Sequence, residues 1–315
     1  MDAAIALGER GRGRTAPNPN VGCVIVKDDA IVGRGWTGDG GRPHAEAAAL
    51  GEAGAAAAAA TIYVTLEPCS HRSERGPACA DLLVAAKPER VVIALGDPDP
   101  RTDGRGAEAL RAAGIAVETG LCAEAAGRSM AGFLTRVRRG RPLVTLKLAL
   151  SIDGRTALPT GESRWITGEE ARAHVHLERA RSDMILVGRG TYDADAPRLD
   201  VRLPGLEGRS PRRALLTRGG GVEGWTRLGS PDEVHGLESV NDLLVEGGAE
   251  TASAFLAADL VDRLLIYRAP ILIGEGKAAI GPIGLDSLAD AHGRWRRAET
   301  RALGIDTLEV YERIR

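Results

Sequence analysis

Two short stretches decide the fold class: His44-Ala45-Glu46, and Val64-Thr65-Leu66-Glu67-Pro68-Cys69-Ser70-His71 followed by Cys79. One imidazole (His44) and two thiolates (Cys69, Cys79) form a three-ligand zinc set that leaves a fourth tetrahedral position for water. Zinc brings the pKa of such a water down to about 7. Glu46, two residues from the histidine, is placed to carry protons rather than to bind metal. These residues fall at the ends of elements. His44 and Glu46 open a helix just after Pro43, and Cys69 follows a β-rich run over residues 61–66. Pro68 suits the start of a turn or helix, and a helix N-terminus favours thiolate.

Working outward, Val- and Ile-rich runs bounded by Gly, Pro or Asp predict strands over 20–27, 30–36, 61–66, 90–96 and 115–119. Helical spacing lies between and after them, over 44–53, 77–87, 106–113 and, as one long helix, 122–138. The first stretch, residues 2–12, is helix-like and carries acids. Interleaved strands and helices imply an α/β/α sandwich. The Ala-rich run 55–60 reads as a helix end or loop. A seam follows at Arg138-Arg139-Gly140-Arg141-Pro142, whose arginines read as a solvated helix end favoured by the helix dipole. Beyond it a second α/β domain is expected, with strands over 143–150, 184–187, 214–217, 242–246, 264–268 and 307–312 and helices over 168–181 and 250–258. The domain boundaries are therefore 1–140 and 141–315.

Composition narrows the function classes. A chain of 315 residues with 43% hydrophobic content can fill two cores without disulfides. Its four cysteines suit metal binding and cytosolic use. A formal charge of −2, a pI near 6.3 and 3% aromatics leave neither a basic footprint nor stacking platforms for nucleic acid. No run of 18 apolar residues occurs and residues 2–12 lack a signal-peptide core, so a cytoplasmic protein without a membrane span is expected.

H-x-E followed by P-C-x-x-C is the pattern of zinc deaminases that act on nucleobases. Cys69 and Cys79 depart from it, standing ten positions apart instead of three. Other readings are a buried cysteine pair with a helix-capping Glu46, or a closed structural zinc with His71 as fourth ligand. Gly33-Arg34-Gly35-Trp36-Thr37-Gly38 satisfies G-x-G-x-x-G, but a dinucleotide fingerprint must open a helix directly. Arg42-Pro43 intervenes, and a strand-end loop is the better reading. His174 and His176 are two apart, whereas a paired metal site on a helix wants four. With Glu170 and Glu178 nearby they read as a solvated charged face. Cys23 and Cys122 read as plain buried thiols.

The run Asn18-Pro19-Asn20-Val21-Gly22-Cys23-Val24-Ile25-Val26, His44-Ala45-Glu46 and the Val64–His71 stretch resemble the bifunctional riboflavin-biosynthesis deaminase–reductases. In that family a long loop separates the two zinc cysteines, in keeping with the wide gap and Pro77 just before Cys79. The second half resembles the family's dihydrofolate-reductase-like reductase domain. The segments that carry it are residues 147–157, 161–167, Arg179-Ala180, 191–202 and Val245-Glu246-Gly247-Gly248. The resemblance implies a cytidine-deaminase-like sandwich followed by an NADPH-dependent reductase domain. The substrate would be a phosphoribosylaminopyrimidine, deaminated first and then reduced from ribosyl to ribityl. It further implies substrate contacts from Ser163, Arg179, Leu199, Arg202 and Glu246. Arg179 and Arg202 offer guanidinium forks that suit a phosphate. Cofactor contacts would come from Ala149, Trp165, Thr191, Asp195, Gly248, Ala249, Glu250 and Thr251, with backbone N–H groups after the Gly247-Gly248 turn facing a cofactor phosphate. The resemblance also implies a homo-oligomer, a dimer or tetramer.

Three features depart from the family pattern. Asp-Asp-Pro is reduced to Asp195-Ala196-Pro197, Arg218 stands where a small polar residue is common, and only about forty residues separate Arg202 from Glu246. Part of the cofactor-side strand–helix region is missing on this reading. The alternatives are a deaminase whose second domain is a non-catalytic dimerisation scaffold, a deaminase of other nucleobases or nucleosides, and a binding protein with a structural zinc.

Overall fold

The computed structural model describes residues 1–71 and 76–315. The chain divides into two compact units, Met1–Gly140 and Arg141–Arg315.

The first unit runs α1 (Asp2–Gly8), β1 (Gly22–Lys27), β2 (Ala30–Trp36), α2 (Ala45–Ala53), β3 (Thr61–Val64), α3 (Cys79–Ala86), β4 (Arg90–Ile93), α4 (Arg105–Ala112), β5 (Ala116–Thr119), α5 (Ala123–Ser129) and α6 (Ala131–Arg139). Among the described residues its strands form one sheet in the order β2-β1-β3-β4-β5. β1 is antiparallel to both β2 and β3, while β3, β4 and β5 run parallel. Parallel neighbours require crossovers, which α3 and α4 supply. Cys23 and Ile25 of β1, Ile62 and Val64 of β3, and Val91 and Ile93 of β4 meet Leu83 of α3 and Leu110 of α4 in one core. The parallel strands β3 and β4 end together; the chain leaving β3 carries Cys69, and the chain leaving β4 bonds to it through Glu67.

Three expectations change. The G-x-G-x-x-G run is not a strand-end loop, because Gly33 and Gly35 lie inside β2. A Cβ on Gly33 would sit 2.4 Å from the Ala49 carbonyl oxygen, and one on Gly35 2.1 Å from that of Ala45. The glycines let α2 lie directly on the strand. The long helix over 122–138 is two helices, separated at Met130 (φ −103°, ψ 18°). Tertiary contacts explain the break. The Ser129 hydroxyl donates to Glu9 at 2.6 Å and accepts from the Asn20 amide at 3.3 Å, and Met130 is buried against the core. Cys23 is buried as expected. Cys122 is only half-buried, and its thiol donates to Asp2.

The second unit runs β6 (Leu143–Ser151), β7 (Arg155–Ala157), α7 (Glu169–Ala180), β8 (Met184–Gly188), α8 (Arg189–Asp195), β9 (Arg212–Leu216), β10 (Thr226–Leu228), β11 (Asp242–Val245), α9 (Ala249–Ala257), β12 (Arg263–Ala269), β13 (Lys277–Ala278), β14 (Trp295–Leu303) and β15 (Asp306–Arg313). Among the described residues β7 and β13 form a small pair, and the rest make one sheet in the order β10-β9-β8-β11-β6-β12-β15-β14. From β10 to β12 the strands are parallel; β15 and β14 close the far edge antiparallel. β11 inserts between β8 and β6, so the chain order reverses there. In open parallel sheets the crevice beyond the strand ends at such a reversal is where ligands bind.

The seam and the histidines also differ from expectation. Arg141 is not a solvated helix end. It is 5% exposed and forms a forked pair with Asp262 at 2.6 and 2.9 Å. His174 and His176 are half-buried, not on a solvated face. His174 Nδ1 lies 2.8 Å from the Tyr267 hydroxyl, His176 Nδ1 lies 3.1 Å from the Asp200 carbonyl, and Glu178 is buried between Arg181 and Arg263. Burial lowers the pKa of both imidazoles. β7, β10, β13 and β14 have no counterpart among the predicted strands, nor α8 among the predicted helices. β14 is an edge strand exposed along nearly its whole length, and its charged residues carry no apolar alternation to read.

Candidate active sites

In the first unit, His44 occupies the N-cap position of α2 with extended backbone (φ −71°, ψ 157°). Its helix is seated against β2 by Gly35. Cys69 follows the end of β3, and Cys79 is the first residue of α3. His44 Nδ1 lies 3.2 Å from Cys79 Sγ and 3.6 Å from Cys69 Sγ, and the three ligand atoms all lie within 4.8 Å of one another. Tetrahedral zinc with its usual Zn–N and Zn–S bond lengths requires an N···S separation of about 3.5 Å. The donors therefore fit zinc in type and spacing. His71 is not among the clustered ligands.

Glu46 is 3% exposed and also stands outside the ligand set. Burial pushes its carboxyl pKa up, opposed by the nearby His44 and by hydrogen bonds from its own N–H and the Cys79 thiol. A carboxyl so placed can take and return a proton. The Cys79 hydrogen bond is the largest factor holding the Cys69 thiol down at about 4; the Cys79 thiol is correspondingly pushed up. Asp97, on the loop after β4, is raised to about 6, chiefly by burial and then by Asp99, Glu67 and Cys69.

Glu67, two residues before Cys69, belongs to no ligand or proton-shuttle pattern in the sequence. Its buried carboxylate accepts from the backbone N–H groups of Asp97, Gly104 and Ala107 at 3.3, 3.0 and 3.0 Å. Those donors lie thirty or more residues downstream, so local pattern could not have shown it.

In the second unit the residues expected to contact substrate and cofactor are spread over β6, the segments after β8 and β11, the end of α7 and the loop before it. Arg179 of α7 forms a forked pair with Glu246, which follows β11: Nε to Oε1 is 2.7 Å and Nη2 to Oε2 is 3.0 Å. Lys147 of β6 stands 3.7 Å from the same carboxylate. Burial alone would raise the pKa of Glu246, but Arg179 and Lys147 bring it down to about 2. Arg179 Nη1 also donates to the Asp200 carbonyl at 3.1 Å, which ties in the loop carrying Leu199 and Arg202. Leu199 is buried at φ 55°, a left-handed conformation unusual for a branched side chain. Arg202 is exposed, its Nε 3.6 Å from Asp200.

On the cofactor side, the Gly248 N–H donates to Thr191 Oγ1 at 3.2 Å, joining the start of α9 to α8. A Cβ on Gly247 would sit 2.4 Å from Thr251 Cβ, so glycine is required for that turn. Ala249, Glu250 and Thr251 form the first turn of α9, whose N–H groups suit a phosphate. Asp195 ends α8 and pairs with Arg164 at 2.8 Å. Ala149 lies on β6 beside Tyr267. Ser163 and Trp165 are exposed on the loop before α7, on either side of Arg164, and the Arg172 guanidinium stacks 4.8 Å from the Trp165 ring.

Fold and site together define a zinc-dependent deaminase joined to a reductase. The family profile "Cytidine and deoxycytidylate deaminase zinc-binding region" matches residues 1–95, and "RibD C-terminal domain" matches residues 142–233 and 227–308. The riboflavin biosynthesis protein RibD of Escherichia coli (strain K12) is 41% identical over 355 residues, covering 97% of this chain and 96% of its own. That of Mycobacterium tuberculosis (strain ATCC 25618 / H37Rv) is 40% identical over 324 residues, covering 98% and 95%. The chain belongs to the RibD family, the bifunctional deaminase–reductases of riboflavin biosynthesis.

Solved structures agree. RibD of Acinetobacter baumannii (form 1) superposes with a TM-score of 0.91 at 37% identity, covering 100% of this chain and 98% of that one. A diaminohydroxyphosphoribosylaminopyrimidine deaminase / 5-amino-6-(5-phosphoribosylamino)uracil reductase from Thermotoga maritima superposes at 0.90 and 32% identity, covering 100% and 97%. The reductase profile matches in two pieces that overlap at residues 227–233.

Proposed function

We propose that residues 1–140 hydrolytically deaminate 2,5-diamino-6-ribosylamino-4(3H)-pyrimidinone 5′-phosphate. Residues 141–315 then reduce the ribosyl group to ribityl with NADPH. The observation that carries the first step is the convergence of His44, Cys69 and Cys79 beside a buried, non-ligating Glu46. Zinc held by these three residues supplies a bound water of lowered pKa. Glu46 takes one proton from the attacking water and delivers it to the pyrimidine ring nitrogen; it then takes the second from the hydroxyl of the tetrahedral adduct and passes it to the departing amine as the carbonyl forms and the C–N bond breaks. Burial excludes bulk water from this exchange.

For the second step, NADPH supplies hydride to the sugar carbon. Glu246, held anionic by Arg179 and Lys147, accepts hydrogen bonds from substrate, while the exposed Arg202 fork takes its phosphate; Ser163 and Leu199 complete the contacts. Thr191, Asp195, Ala149, Trp165 and the Gly248–Thr251 turn hold the cofactor. A homo-oligomer in the cytoplasm is part of the same reading. No helix among the described residues is long and apolar enough to cross a membrane.

The test is to supply the diamino substrate to the purified protein and follow ammonia, then to supply the deaminated product with NADPH and follow nicotinamide absorbance. Ammonia without NADPH oxidation would reduce the second unit to a scaffold. Neither activity would sink the reading.

A further inference from the structure

We propose that Glu67 is a positioning residue of the metal centre, holding Cys69 in ligating geometry through the N-terminus of α4. The inference rests on the zinc reading above and concerns a side chain that touches no ligand atom. Glu67 is 5% exposed, so its carboxylate must be satisfied inside the protein. The three N–H donors named above do this: one belongs to the loop after β4 and two to the start of α4. Charge-assisted bonds of this kind are the stronger class, and a helix N-terminus favours the anion.

The rest of the segment is clamped around it. The Glu67 N–H donates to the Leu95 carbonyl at 2.8 Å, extending the pairing of β3 with β4 past both strand ends. The first turn of α4 rests on the next residue: a Cβ on Gly106 would sit 2.0 Å from the Pro68 carbonyl oxygen and 3.2 Å from Glu67 Oε1. On the other side, the Ala80 N–H donates to the Cys69 carbonyl at 3.1 Å and the Cys79 N–H to Cys69 Sγ at 3.3 Å. Cys69 is thus held between the starts of two helices, and Glu67 is the only side chain of Glu67-Pro68-Cys69 that reaches α4 by hydrogen bonds among the described residues. Removing its carboxylate leaves three N–H groups unsatisfied and frees the chain two residues before the ligand.

The test uses the full chain with Glu67→Ala, Glu67→Gln and, as a control on the metal reading, Cys69→Ser. Zinc affinity is measured by competition with a chromophoric chelator, and the visible spectrum is recorded at full cobalt(II) occupancy. NADPH oxidation by the second unit and far-UV circular dichroism report folding. Glu67→Ala is expected to weaken zinc binding about 10–100-fold, the usual effect of losing a group that orients a ligand. Glu67→Gln should weaken it less, because one amide oxygen still accepts while the amide nitrogen cannot. Both should shift the thiolate-to-cobalt band at saturation, which a residue that merely stabilised the fold would leave in place. Wild-type zinc affinity with an unshifted cobalt spectrum in Glu67→Gln overturns the proposal, and if Glu67→Ala fails to fold, Glu67→Gln decides alone. A wild-type chain that binds no zinc, with Cys69→Ser indistinguishable from it, overturns the metal reading and the proposal together.

Discussion

Glu46 at the first site and Glu246 at the second are driven in opposite directions by their surroundings. Glu46 is pushed towards its protonated form by burial, with an imidazole and a thiol as neighbours. Burial would raise Glu246 too, but Arg179 and Lys147 hold it ionised down to about pH 2. The residue type is the same; the charge standing beside the carboxyl decides whether it moves protons or is held as an anion. The first unit therefore carries a proton shuttle, the second an anchor.

Removing zinc should separate the two sites most sharply. A strong chelator is expected to abolish ammonia release while leaving NADPH oxidation intact, and parallel loss of both would contradict independent chemistry. Next in size is Glu46→Gln, which keeps the shape but cannot shuttle protons. It should lower the deamination kcat by about 10²–10⁴-fold with zinc content unchanged by metal analysis.

The anchor should respond in stability as well as in rate. Glu246→Ala leaves Arg179 buried without its partner and should destabilise the second unit by about 3–5 kcal/mol in urea unfolding, with reductase activity lost. The pH dependence follows from the sign of the shift. The folded pKa of about 2 lies below the ordinary 4.5, so the Glu246 contribution is complete above about 4.5 and is lost as pH falls towards 2. Glu246→Gln should flatten the unfolding midpoint over that window; an unchanged acid limb would show that the pair is not what holds this carboxylate ionised. The smallest effect is expected at Thr191→Val, which removes the acceptor for the Gly248 N–H. About 1 kcal/mol of lost hydrogen bonding should raise the KM for NADPH several-fold without altering deamination.

Much of the deaminase site was legible because each of its parts is a short motif at an element end: His-x-Glu opening a helix, Pro-Cys after a strand. Strands with alternating apolar residues were legible for the same local reason. What escaped reading depended on distant partners. β14 carries Arg and Glu on an open sheet edge, where no buried face imposes a pattern. The single helix over 122–138 breaks at Met130 because Glu9 and Asn20 reach Ser129 from the other end of the unit. Arg179 looked like a free fork for phosphate, yet its partner Glu246 lies on another element.

The sequence by itself determined the chemistry on offer: a three-ligand zinc set, a neighbouring carboxyl, a two-domain chain and membership of a family, all carried by residues whose type and order suffice. Only the tertiary structure decided what each ionisable group faces. It brought His44 to Cys79, set Glu67 against the start of α4 and paired Glu246 with Arg179. A pKa, a ligand angle or a clamp depends on distances of a few ångströms between residues far apart in the chain, and such distances exist only once the strands have paired and the helices have packed.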